Sequence, residues 1–229
     1  MEHRYFFGYG SLVNRATHDY AGAFTARLTG WRRAWRRSPS RALCYLSVEP
    51  APEVEILGLV APVAQTALQA LDVREQAYKR ADVSHSLSHA QPDTPMVEIH
   101  TLPEVQHHDP TDENPILLSY LDVVVQGYLR EFGNEGVAHF FATTAGWQAP
   151  ILDDRSSPVY PRAQRLTAEQ TALVDTHLKQ LQSPIIPLSP SSWHKYLWGV
   201  RGAKPPGYTA VRGAKPPGGS SRRKPGRNP

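Results

Sequence analysis

Residues 200–207 read VRGAKPPG, and residues 211–218 repeat the phrase eleven positions later. This segment limits what the chain can fold into. Residues 201–229 hold 8 Lys and Arg, 6 Pro, 6 Gly and no acid. So few apolar side chains cannot bury a core, and the composition predicts a disordered tail. A solenoid needs longer repeats and more of them. The fold must therefore come from residues 1–200.

Charge divides at the same place. The chain has 25 basic and 21 acidic residues, a net of +4. Without the tail's 8 basic residues, 17 stand against 21 acids, and the part that can fold is mildly acidic. Any affinity for nucleic acid would belong to the tail and be weak, salt-sensitive and sequence-independent. Nucleic acid is thus not an expected partner of the body.

Cys44 is the single cysteine, so no intrachain disulfide framework can form. No apolar run approaches the roughly 18–20 residues of a membrane-spanning helix. Residues 1–12 lack a basic stretch followed by a long apolar one, so no secretory signal is expected. The expectation is a soluble, cytoplasmic protein with no membrane partner. Its domains are expected at 1–182, a Pro-rich segment with a short docked helix at 183–200, and the tail at 201–229.

The first half reads as strands with one helix. Tyr5, Phe6 and Phe7 form an apolar run ended by Gly8. Strands are predicted over 26–36, 42–48, 54–63 and 96–102 by their β-rich or alternating patterns. Between them, 65–78 has helical spacing through Leu68, Leu71, Glu75 and Tyr78. The second half is mostly helical. Asn114 and Pro115 suit an N-cap and first helical position, for a helix running to about Phe132 and stopping at Gly133. Asn134 can cap a further helix through Val137, Phe140 and Phe141, ending at Gly146. Thr167 and Gln170 form a capping-box pattern ahead of Leu173, Val174, His177, Leu178 and Leu181. Trp193, Tyr196, Leu197 and Val200 form a last short stripe.

Two features can carry chemistry. Glu75 falls on the apolar stripe of its helix, four residues after Leu71. A carboxylate on a buried face loses hydration, its pKa rises, and it suits proton transfer near neutral pH. On the residues alone, a structural ion pair with Arg74, Lys79 or a strand arginine is the plainer reading. The second feature is the loop Gly8, Tyr9, Gly10, Ser11, Leu12. Two glycines in three residues let backbone N–H groups turn toward a ligand. Val13 stands where a dinucleotide fingerprint needs its third glycine, and the G-x-S-x-G order of a serine hydrolase is absent. An ordinary turn after a strand is the plainer reading of this loop taken alone.

Together these features resemble the γ-glutamylcyclotransferase superfamily. The resemblance rests on the loop Phe7, Gly8, Tyr9, Gly10, Ser11, Leu12. Gly30, Trp31 and Arg32 follow on the next strand, and a helix carries Glu75 and Tyr78. Pro115, Ser119, Tyr120 and Gly127 come last. These anchors occur in the family's order over about residues 5–130. Each is short, and the ordered set is the specific signal. Residues 131–182 look like the extra helices of bacterial relatives.

The resemblance implies an α+β fold, a small mixed β-barrel with packed helices and additional C-terminal helices. It implies an enzyme that releases 5-oxoproline from a γ-glutamyl peptide, such as glutathione, or a γ-glutamyl amine. Glu75 takes the place of the family's general acid/base. Tyr9, Gly10, Ser11 and Leu12 would bind substrate through the loop, with Tyr78 and Tyr120 as cavity tyrosines. No cofactor and no metal is implied. The alternative is a non-catalytic member of the fold that binds a small ligand or a protein.

Other signals read more plainly. Arg32, Arg33, Arg36, Arg37 and Arg41 crowd one segment beside Trp31 and Trp35, and a wet strand face opposite inward tryptophans is expected for them. His85 with His89, and His107 and His108 with Asp109, Asp112 and Glu113, supply too few converging ligands from regular elements for a metal site. Asp153, Asp154 and Arg155 lie between prolines and read as a solvated turn.

Overall fold

The computed structural model describes residues 3–37, 42–64, 79–92, 96–101, 108–189 and 196. The 65–78 segment with Glu75 and Tyr78, His107, and the tail at 201–229 lie outside the described residues.

The apolar run predicted at the start forms β1 (His3–Gly8), with Phe6 and Phe7 buried. β1 lies inside the main sheet. It pairs antiparallel with β3 (Tyr45–Ala64), Phe7 opposite Val60, and parallel with β6 (Val97–Thr101), Phe7 opposite Ile99. β3 also runs antiparallel to β2 (Phe24–Arg36), with a register shift between Thr29 and Trp31. The two strands predicted at 42–48 and 54–63 are thus one continuous strand. Long pairing with β2 on both sides of the shift carries the chain through the polar stretch between them. β4 (Lys79–Asp82) and β5 (Leu87–His89) complete a path β4-β6-β1-β3-β2-β5, and β8 (Thr144–Ala145) adds to β2. Among the described residues this path is open, and no ladder closes it into a barrel. The fold is mixed α+β.

Helix α1 (Leu118–Ala142) covers the sheet, and Val124, Tyr128 and Phe140 share one core with Leu28, Trp35, Val48 and Leu59. Its start differs from the sequence expectation. Ile116–Leu117 form β7, paired parallel with β9 (Ile151–Asp153), and the helix begins after them. Its N-cap, Leu117, offers no side-chain bond. The first turn is capped from elsewhere: Ser119 N–H and Oγ–H donate to the carboxylate of Asp154 at 2.8 and 2.5 Å. A negative group at a helix N-terminus meets unsatisfied donors and the positive end of the dipole. Asp154, read from sequence as part of a solvated turn, is fully buried.

The predicted break at Gly133 is present: its φ is 67°, inside the span of α1. Past it, Val137, Phe140 and Phe141 are buried as expected, but the helix ends at Ala142 because β8 then joins β2. The predicted capping box forms at Thr167 and Gln170 and starts α2 (Ala168–Leu181), which buries Val174 and Leu178. β10 (Ile185–Pro187) pairs parallel with β9. Tyr196, the one described residue of the last stripe, is buried with Leu43, Leu117, Leu152 and Val159. Among the described residues, no helix is long and apolar enough to cross a membrane.

Candidate active site

The loop after β1 is held by its carbonyls. Gly10 O accepts from Val13 N–H and Ser11 O from Asn14 N–H, both at 3.0 Å, in a short 3₁₀ turn (Ser11–Val13). Thr17 Oγ1 donates to Ser11 O at 2.9 Å. His18 Nε2 lies 2.8 Å from Leu12 O, and its Nδ1 accepts from Tyr20 N–H at 3.2 Å. These contacts fit a neutral ring that donates to Leu12. Burial, then the nearby Arg15 and Arg162, lower the pKa of His18, and Leu12 O works the other way. With the carbonyls engaged, the N–H groups that open the turn have no acceptor inside it.

Helix α1 docks on this loop. Asn14 is fully buried and donates to Val123 O at 2.9 Å and to Gln126 Oε1 at 3.0 Å. Gly127 allows this approach: a Cβ there would come within 2.6 Å of Asn14 N. About two turns earlier on the helix, Tyr120 reaches Gly10. A Cβ on Gly10 would lie 2.5 Å from the Tyr120 hydroxyl, so this position must lack a side chain for the tyrosine to sit where it does. The helix spacing thus brings two of the expected site elements, the 9–12 loop and Tyr120, to one place. Around Tyr120, the rings of Trp35 and Tyr160 pack edge-on at 5.9 and 5.0 Å. Both neighbours carry a buried polar atom without a hydrogen-bond partner among the described residues, Trp35 Nε1 and Tyr160 OH.

Tyr9 spans the loop's base. Its hydroxyl donates to His100 O at 2.8 Å, and its carbonyl lies 3.0 Å from the hydroxyl of Tyr128. Tyr128 is fully buried, and burial pushes its phenol up to about 12 against the opposing pull of Arg33. It therefore stays a neutral donor, toward Leu57 O at 2.7 Å or Tyr9 O.

Arg33 donates to that same hydroxyl at 2.9 Å. The sequence reading placed the arginines of this segment on a wet strand face. Arg32 and Arg36 do face outward and pair with Glu49, and Arg27 pairs with Glu55. Arg33 is instead 0% exposed. It donates to Thr144 Oγ1, Leu57 O and Thr143 Oγ1 at 3.1, 3.1 and 2.6 Å, and lies over the rings of Tyr128 and Phe140. None of its partners is a carboxylate, and burial lowers its pKa. The signal for it was available. Arg33 lies two residues from both Trp31 and Trp35, so strand alternation puts it on their inward face.

A second arginine stands at the loop's rim. Arg162 is exposed, its Nη2 lies 3.5 Å from Ser11 Oγ, and its guanidinium sits 5.6 Å over the Tyr160 ring. Among the described residues, no three His, Cys, Asp or Glu side chains group as a metal site. The arrangement offers backbone N–H groups, the Tyr120 and Tyr160 rings and the exposed Arg162 guanidinium, with buried Arg33 adding its charge from behind, a set suited to a small molecule that carries or develops negative charge.

No protein-family model matches the chain, and no curated protein matches it. Solved structures do. An uncharacterized protein from Homo sapiens aligns at 16% identity over 76% of this chain and 99% of its own, with a TM-score of 0.49. A structure titled gamma-glutamyl cyclotransferase aligns at 17% identity over 76% and 99%, also at 0.49. A yeast cyclotransferase described as specific to glutathione aligns at 14% identity over 79% and 100%, at 0.40. The chain is thus similar in structure, at low identity and over part of its length, to solved γ-glutamyl cyclotransferases.

Proposed function

We propose that the chain is a γ-glutamylcyclotransferase, a lyase that closes a γ-glutamyl peptide or amine into 5-oxoproline and releases the attached amine. The observation that supports this most is the seating of Tyr120 over Gly10, at a loop whose carbonyls are engaged and whose first N–H groups lack an acceptor within the turn. On this reading Glu75, Tyr78 and the helix that carries them complete the site, and the sheet closes as a small barrel.

The substrate brings its own nucleophile. Its α-amine attacks the γ-carbonyl carbon, the carbonyl π electrons move to oxygen, and a five-membered ring forms. The oxyanion collapses, the C–N bond to the leaving amine breaks, and 5-oxoproline departs. Glu75 takes the proton lost by the attacking amine and returns it to the leaving nitrogen. Ring closure is intramolecular, so a site that holds the substrate folded supplies much of the acceleration. The N–H groups of Gly10 and Ser11 meet the oxyanion, with Tyr9 and Leu12 shaping the loop and Tyr78 and Tyr120 lining the cavity. One fixed donor of this kind is worth about 10²–10³ in rate.

Purified protein incubated with glutathione, γ-glutamyl dipeptides and γ-glutamyl amines is expected to form 5-oxoproline from at least one class. Glu75→Gln is expected to lower turnover by at least about 10²-fold. Absence of 5-oxoproline from every substrate overturns the activity. Equal turnover by the variant removes Glu75 from the mechanism.

A further inference from the structure

We propose that Arg162 is a specificity-determining residue that receives the carboxylate of the leaving group, so that the site selects γ-glutamyl peptides over γ-glutamyl amines. This rests on the cyclotransferase reading above.

Arg162 has no anionic partner among the described residues, whereas Arg15 and Arg155 are each paired with carboxylates. Arg15 donates to both oxygens of Glu131, and Arg155 is shared between Asp122 and Asp175. Arg162 has as described partners only the Ser11 hydroxyl and the Tyr160 ring. A guanidinium over an aromatic face is held in orientation while its N–H fork stays open to a planar carboxylate.

The backbone beneath it is fixed. Val159 N–H donates to the buried Asp154 at 2.8 Å, Ala163 N–H to Tyr160 O at 3.1 Å, and Gln164 Nε2 to Arg162 O at 3.1 Å. The charge is therefore carried by a braced turn tied to the carboxylate that caps α1. Two segments far apart in sequence, the 9–12 loop and the 160–164 turn, present it beside the Tyr120–Tyr160 ring pair.

Position decides which carboxylate it meets. The cyclising unit must lie against the Gly10 and Ser11 N–H groups, under Tyr120. Arg162 is exposed at the rim, so it faces the part of the substrate that projects outward, which is the leaving group. In a γ-glutamyl peptide that group ends in a carboxylate. In a γ-glutamyl amine it carries none.

The test uses γ-glutamyl-alanine and its C-terminal amide, which differ in that one charge. The wild-type chain is expected to prefer the acid by about tenfold in kcat/KM. In Arg162→Gln that preference falls to about unity, mainly through a higher KM for the acid. Arg162→Lys keeps part of it, because a point charge remains without the planar fork. A preference unchanged in Arg162→Gln, or none in the wild type, overturns the proposal. So does an equal loss on both substrates, which would assign Arg162 to the glutamyl α-carboxylate they share. If the wild-type chain yields 5-oxoproline from neither but does so from glutathione or a γ-glutamyl amine, this inference alone falls; if it yields none from any of them, the cyclotransferase reading fails and the inference falls with it. Turnover with the wrong selectivity pattern sinks the inference alone.

Discussion

Helix α1 is gripped at two places by fully buried charges of opposite sign. At its first turn stands Asp154, and behind its middle stands Arg33. Neither has an oppositely charged partner among the described residues, yet the two are not equivalent. Asp154 is surrounded by donors: the N–H groups of Ser119 and Val159, both at 2.8 Å, and the Ser119 hydroxyl. Arg33 is surrounded by acceptors that already have other work. Tyr128 OH also donates to Leu57 O, Thr143 Oγ1 to His139 O at 2.7 Å, and Thr144 Oγ1 to Phe140 O at 2.6 Å. Removing the anion strands buried donors. Removing the cation strands none. The carboxylate is thus a structural cap, whereas the guanidinium carries a desolvation cost that the fold does not need. What Arg33 supplies is a fixed positive charge behind the loop, linked to Tyr9 O through the Tyr128 hydroxyl.

The largest effect should follow from removing the cap. Asp154→Ala leaves two buried N–H groups without an acceptor and is expected to cost about 3–5 kcal/mol. Urea or guanidinium denaturation gives the number. The variant also loosens the turn that carries Tyr160 and Arg162. A loss under about 1 kcal/mol would mean that water or another acceptor replaces Asp154, and the contrast with Arg33 would collapse.

Arg33→Met keeps most of the volume and removes the charge. Its stability is expected to stay within about 1 kcal/mol of the wild type, in either direction. The comparison breaks if this variant is as damaged as Asp154→Ala. Measured side by side, the two variants separate a charge that caps the fold from one that the fold merely accommodates.

Much of the frame was legible in the sequence for definite reasons. Apolar Tyr5, Phe6 and Phe7 ended by Gly8 read as a short first strand, and Thr167 with Gln170 carried a local capping signal. Gly133 announced the break that its left-handed backbone makes. The loop and Tyr120 were linked only through the family resemblance, and the close approach at Gly10 that joins them became visible in the structure. The start of α1 was not. Asn114 and Pro115 carry the right local chemistry, but the cap came from Asp154, thirty-five positions from Ser119. A capping acceptor that distant leaves no mark in a local pattern. The joining of the two predicted strands into β3 was missed for a related reason, since it depends on β2 pairing on both sides of the register shift, with Pro50 and with Glu55. Arg33 was a different kind of miss. Its alternation with the tryptophans was visible, and only the rarity of buried arginine argued against it.

The smallest expected effect is also the most direct probe of Arg33. Burial lowers the pKa of His18, His139 and His177 from the ordinary 6.5. For His139 the second cause is Arg33, followed by Glu55, which raises it, and Arg27, which lowers it. The folded state therefore disfavours protonation of all three rings. Their contribution to stability is complete above 6.5 and is lost as pH falls from there through the depressed values, because the unfolded chain takes up the protons first. Unfolding midpoints measured across this window should fall with pH. In Arg33→Met, one repulsive neighbour of His139 is gone while its burial remains, so its pKa should rise part of the way back, and His177, on which Arg33 does not act, should stay where it is. Proton NMR titration of the two rings reads this within one sample. A His139 pKa unmoved in a variant that keeps its fold would mean that the buried guanidinium is not the charge this ring senses, and Arg33 would lose its place as the fixed cation behind the loop.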